Sequence, residues 1–227
     1  FSRAIARNGL ESVLLMHLKT SKDLDGAIKY VGEEDILKFA GQKIVKKLAE
    51  EKKHGGKDNE LVKGIRSIAR GIDSWRGVMH RDFHPGNLIV NKKGEVCIID
   101  LEKATVGVPY LDAVMLADNY RARDIFNEDF QRDDFLEEYC VNAHDGGGVE
   151  SYELAKRSMH LSGVLQNLVL FYRAGIIGGS SESNHARAHH AGRCIEHLTE
   201  LEGFYSGERL MRLRSFKNAM ENRLRNA

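Results

Sequence analysis

The stretch from Val78 to Asp112, VMHRDFHPGNLIVNKKGEVCIIDLEKATVGVPYLD, constrains this chain more than any other part of it. An apolar lead-in gives way to HRDFHPGN. That run is too polar for a central strand and too turn-prone for a helix, because Pro85 brings no amide donor and Gly86 invites a turn. Leu88-Ile89-Val90 then reads as a strand, Asn91 to Gly94 as a turn, and Val96 to Ile99 as the returning strand. A hairpin this short keeps its two ends together. Asp82 and Asn87 stand before its first strand and Asp100 just after its second. Two carboxylates and an amide oxygen are therefore expected in one place.

Phosphoryl transfer needs such a set. A carboxylate can orient a nucleophilic hydroxyl and take its proton, and magnesium takes hard oxygen ligands of the amide and carboxylate kind. The spacing of His80, Asp82, Asn87 and Asp100 resembles the catalytic core of the protein-kinase-like phosphotransferases, and within them the aminoglycoside and choline phosphotransferase branch. HPGN after Asp82, IDLE in place of a DFG triplet, and Glu102 two residues after Asp100 resemble the small-molecule kinases. Asp112 follows Asp100 too closely to leave room for a long activation segment. The resemblance implies an enzyme that moves the γ-phosphate of ATP to a hydroxyl of a small molecule. It implies Asp82 as the base, Asn87 and Asp100 as the holders of magnesium, and His80 as a scaffold residue beneath the loop. Arg81 reads as a structural salt-bridge residue. Asp112 reads as a helix cap or a brace for the catalytic loop.

Composition bounds the rest. The 227 residues are 42% hydrophobic and 30% charged, as expected of a soluble globular chain. A formal charge of +1 without a basic block argues against a nucleic-acid groove. Cys97, Cys140 and Cys194 are scattered and form no CxxC pair, which points to a reducing, cytoplasmic setting. FSRAIARNGL does not read as a signal peptide. The most apolar window, Leu161 to Gly179, contains Gln166, Asn167 and Arg173, so a buried helix is expected there and no membrane partner. Only two prolines suit a mainly helical α+β chain.

In chain order, Ser12 to Leu18 reads as a strand leading into a polar linker. By the resemblance this would be the hinge, where backbone near Met16, His17 and Leu18 would bind the adenine edge of ATP. Amphipathic helices are expected over Glu34–His54 and about Glu60–Trp75, with Ile65, Ile68, Ala69 and Ile72 on the inner stripe of the second. Further helices are expected from Pro109 to about Ala122 and from Glu150 to Tyr172. Between them lies the acidic tract RDIFNEDFQRDDFLEEY, read as a solvated helical face that could instead border a pocket for a cationic acceptor. HDGGGV at His144–Val149 reads as a flexible break and Gly175–Asn184 as a mobile loop. His185, His189, His190, Cys194 and His197 fall on one helix, read as a partly exposed face because ligand spacing alone is a weak metal signal. The basic segment ERLMRLRSFKNAMENRLRNA closes the chain as a helix.

A glycine-rich phosphate loop, a strand lysine and a helical glutamate complete a kinase-like fold. None can be placed in this sequence. The resemblance therefore implies the protein-kinase-like C-terminal lobe with a small catalytic hairpin: residues 1–20 a remnant of the upper lobe and hinge, residues 21–227 the helical catalytic lobe. Besides a stand-alone helical interaction domain, which the intact quartet of His80, Asp82, Asn87 and Asp100 makes remote, two alternatives stay open. One is a protein or lipopolysaccharide kinase of the same superfamily; the other is a non-catalytic binding module that kept the loop.

Overall fold

A computed structural model describes residues 2–23, 58–72, 75–119, 126, 130–177 and 181–225. The helix expected over Glu34–His54 lies outside these residues. The chain forms two compact units. One comprises Phe1–Val31 with Asp73–Met159, the other Gly32–Ile72 with His160–Ala227. The described residues are mainly helical, with two small antiparallel sheets.

In the first unit, α1 runs Ser2–Asp23. This corrects the strand expected over Ser12–Leu18. That run has one β-branched residue, and its Leu and Met are strong helix formers. Leu10, Val13, Leu14 and His17 are buried at helical spacing, which a strand could not put on one face. Met16, His17 and Leu18, expected on an extended hinge, therefore lie within this helix. The helix packs on β1 (Gly77–Met79), on β3 (Val96–Ile98) and on α4 (Arg132–Asp145). Gly77 permits the closest approach: a Cβ there would lie 2.7 Å from the His17 carbonyl oxygen.

β1 pairs with β4 (Thr105–Gly107), Val78 opposite Val106. The expected hairpin is present: β2 (Leu88–Val90) pairs with β3, Ile89 opposite Cys97. Its turn uses Gly94 at φ 82°, where glycine carries no Cβ penalty. Leu88, Val90, Val96 and Ile98 are half-buried, and Asn8 of α1 donates to the Gly94 carbonyl at 2.5 Å. Ile89, Cys97 and Ile99 share the opposite face by strand alternation and are exposed.

α3 runs Tyr110–Ala117 and is buried on every side. That accounts for its composition, YLDAVMLA, which is apolar all round except for Asp112. α4 begins within the acidic tract, its Gln131 amide bonded to Asp134 at 2.8 Å. Phe135, Leu136, Tyr139, Cys140 and Ala143 face inward, while Asp133, Asp134 and Glu137 face water. Trp75 packs edge-on to Tyr110 at 5.2 Å and to His17 at 6.3 Å.

In the second unit, α2 (Asp58–Gly71) buries Ile65, Ile68 and Ala69, as the stripe predicts, with Ile72 just past its end. It meets α7 (Gly207–Arg225) through Gly64, where a Cβ would lie 2.1 Å from the Phe216 ring. α5 runs Tyr152–Ile177, belonging to this unit from His160 onward, and α6 runs Ser181–Leu201. The loop expected over Gly175–Asn184 is thus replaced at both ends by helix. Ser181 and Glu182 suit the opening turn, where acceptors and negative charge are favoured. On the histidine face, His185 is exposed and His189 half-buried. His190, Cys194 and His197 are buried with Leu198 and Leu201, an inward stripe at helical spacing. His197 Nδ1 lies 3.0 Å from His160 Nδ1, and His190 Nδ1 lies 3.0 Å from the Asn167 amide oxygen. Among the described residues, no three His, Cys, Asp or Glu side chains come together to hold a metal ion. No helix among them is long and apolar enough to cross a membrane.

Candidate active site

The first unit gathers four of the residues singled out in the sequence. β1 delivers the chain to His80, which is fully buried and bonds the Ile99 carbonyl through Nε2 at 2.6 Å. The loop that precedes the hairpin is thereby tied to the segment that follows it. Pro85–Asn87 forms a single 3₁₀ turn with Pro85 at its first position, where a missing amide costs nothing. Asn87 then reaches back, its Nδ2 donating to the Asp82 carbonyl at 2.9 Å. The Ile99 amide donates to the Asn87 carbonyl at 3.0 Å, which extends the hairpin by one pair and sets Asp100 beside Asn87.

Asp100 adopts the left-handed conformation, φ 62° and ψ 49°, and its exposed side chain caps nothing. A non-glycine residue held there is uncommon and costs of order 1 kcal/mol or more. Arg81 is the other described non-glycine residue at positive φ, 67°. Both strained residues flank the hairpin on the loops that carry the carboxylates.

The loop is braced from below. Asp112, buried in the first turn of α3, accepts the His80 amide at 2.5 Å and the Arg81 amide at 2.9 Å. His17 Nε2 lies 3.3 Å from the same carboxylate, and His17 Nδ1 lies 2.6 Å from the Tyr139 hydroxyl. One arrangement uses every proton: Tyr139 O–H donates to Nδ1, and Nε2–H donates to Asp112. Tyr139 keeps its proton because burial, and then the neighbouring Tyr110 and Asp112, push its pKa well above the usual value. The His17 side chain thus lies in a buried chain from α4 to the loop.

The sequence reading missed Lys103. Leu101–Lys103 forms a second 3₁₀ turn directly after Asp100. From its end, the Lys103 ammonium reaches Asp82 Oδ2 at 2.6 Å. Its pKa is raised, first by the hydrogen bond it donates to Asp82, then by the charge of Asp82 against the effect of burial, and then by Glu102 and Asp100. Among 34 lysines and arginines nothing in the sequence marks this one; only the turn geometry does.

The donor set suits a magnesium ion. The Asn87 nitrogen is committed to the Asp82 carbonyl, so the amide oxygen is the end left to offer. Asp100 adds an exposed carboxylate, and both are the hard oxygens this ion selects. A carboxylate, an adjacent cation and two oxygen donors at one hairpin end are the kinds of group that phosphoryl transfer uses. Residues 30–148, just over half of the chain, match the model of the family described as phosphotransferase enzyme family. The chain belongs to that family. No match to a curated protein was found.

Proposed function

We propose that this protein transfers the γ-phosphate of ATP to a hydroxyl group of a small molecule, with Asp82 as base and Asn87 and Asp100 holding magnesium. The observation that carries the proposal is the closure of the hairpin. Asn87 is bonded to Asp82 on one side and, through its carbonyl, to Ile99 beside Asp100 on the other. A base and two metal oxygens so linked cannot drift apart independently. Phosphoryl transfer is mostly positioning and charge stabilisation, so this rigidity is what the chemistry requires.

Magnesium, when bound, supplies neutralisation of the phosphate oxygens. Asn87 and Asp100 fix where that charge sits. Asp82 orients the acceptor hydroxyl and takes its proton as the oxygen attacks. Ile89 and Ile99, 52% and 38% exposed on the open face of the hairpin, offer an apolar surface beside the metal oxygens. A flat, apolar-faced base with a charged tail suits that pairing of surfaces.

Two variants test the proposal. Asp82→Asn should abolish transfer while the thermal unfolding transition is kept; undiminished turnover would remove Asp82 from the base role. Asp100→Ala should weaken magnesium-dependent ATP binding, and equal ATP affinity across a magnesium series would count against the metal assignment.

A further inference from the structure

We propose that Lys103 recognises the terminal phosphate of the nucleoside triphosphate, holding it against Asp82; this rests on the phosphotransferase reading above. Lys103 starts on the loop of Asp100 and ends on the side chain of Asp82, 2.6 Å from Oδ2. It therefore crosses the interval between the metal oxygens and the base. That is the interval the phosphoryl group traverses. An ammonium has three protons, and the contact with Asp82 uses one. Two remain for phosphate oxygens, and with 51% of its side chain exposed the head is open to them.

Charge points the same way. Asp82, Asp100 and Glu102 all act on Lys103, so this end of the hairpin carries three carboxylates. A nucleotide tail meeting carboxylates alone would be repelled. A divalent ion offsets part of that charge, and a fixed lysine offsets more at the place where negative charge is passed between oxygens. In the step itself, the acceptor oxygen forms a bond to the γ-phosphorus and its proton goes to the Asp82 carboxylate. The bond from that phosphorus to the β–γ bridging oxygen breaks, and the electron pair leaves with ADP. Lys103 neither gains nor loses a proton in this step. It holds an oxygen that ATP has and ADP lacks.

That difference supplies a test independent of any acceptor. Calorimetric titration of magnesium-ATP and magnesium-ADP into the full chain should show Lys103→Met weakening ATP about tenfold, roughly 1.4 kcal/mol, with ADP affinity nearly unchanged. Lys103→Arg should restore part of the preference, since it keeps the charge but changes the geometry. Equal loss for both nucleotides, or no loss for either, overturns the assignment of Lys103 alone. A wild-type chain that binds neither nucleotide overturns the phosphotransferase reading, and this inference with it. Lys103 is half-exposed, so removing its charge leaves the core intact; an unchanged unfolding midpoint checks this in each variant.

Discussion

Asp112 Oδ1 accepts the backbone amide of Arg81 at 2.9 Å, across 31 residues of sequence. Arg81 is at φ 67°, a conformation that non-glycine residues avoid, and the buried carboxylate helps to keep it there. Asp112→Ala leaves two amides and the His17 ring short of an acceptor. The loss should be about 2–4 kcal/mol, since hydrogen bonds to a buried charge are the strong kind. Urea unfolding checks the magnitude. Transfer activity per folded molecule should fall as well, because the strained loop carries Asp82.

Two glycines on facing helices of the second unit should respond in opposite directions. A Cβ on Gly163 would lie 2.3 Å from the His197 ring, and His197 is buried. Gly163→Ala should therefore destabilise by about 1–3 kcal/mol through overpacking. Gly192 sits inside α6, and beyond its chain neighbours and its own helix backbone a built Cβ would meet no atom of the described residues within 4 Å. Gly192→Ala should stabilise by up to about 1 kcal/mol from helix propensity and reduced chain entropy. Thermal melts of the two variants, compared with the parent, decide both.

The three cysteines should separate by reactivity. Cys97 is exposed on the open hairpin face, while Cys140 and Cys194 are buried. Burial, and next the charge of Glu137, push the Cys140 thiol up to about 12, so it stays protonated at neutral pH. One thiol should react quickly with an aromatic disulfide reagent, and the other two only on denaturation. Rapid labelling of two or more in the native protein would contradict the packing of α4 or α6.

Glu137 makes stability fall on acidification. Its carboxyl is held below the usual carboxylate range by a hydrogen bond from Tyr152, and, against a smaller burial effect, by Lys156. A folded-state pKa below the unfolded one gives stability that is present above the unfolded value. That stability is lost as pH falls through the folded value. Glu137 is about half-exposed, so solvent screening keeps the effect small. Glu137→Gln should flatten the acid limb of a plot of unfolding midpoint against pH while leaving the neutral region nearly unchanged; an identical acid limb would exclude this contribution.

The sequence alone determined the local rules. Pro85 and Gly86 set a turn, apolar runs on either side of the Asn91–Gly94 turn set the two hairpin strands, and a hairpin of that length brings Asn87 and the Asp100 segment together. The inner stripe of α2 and the apolar run of α5 were legible for the same reason, since burial periodicity is written into adjacent residues. A short apolar run with no turn signal to pair it carries no such information. Ser12–Leu18 suits a strand or a helix until its neighbours define a face, and α1, packed on β1, β3 and α4, decided for helix. The same packing buried the His17 side chain against Asp112, while in the second unit the His197 and His190 rings turned inward onto His160 and Asn167. Lys103 depended on tertiary structure most of all. Its partner lies 21 positions away and is reached only because a 3₁₀ turn aims the side chain back across the hairpin. Spacing along a chain fixes which backbone segments can meet, but where a long, flexible side chain ends is settled by the surfaces that fold around it.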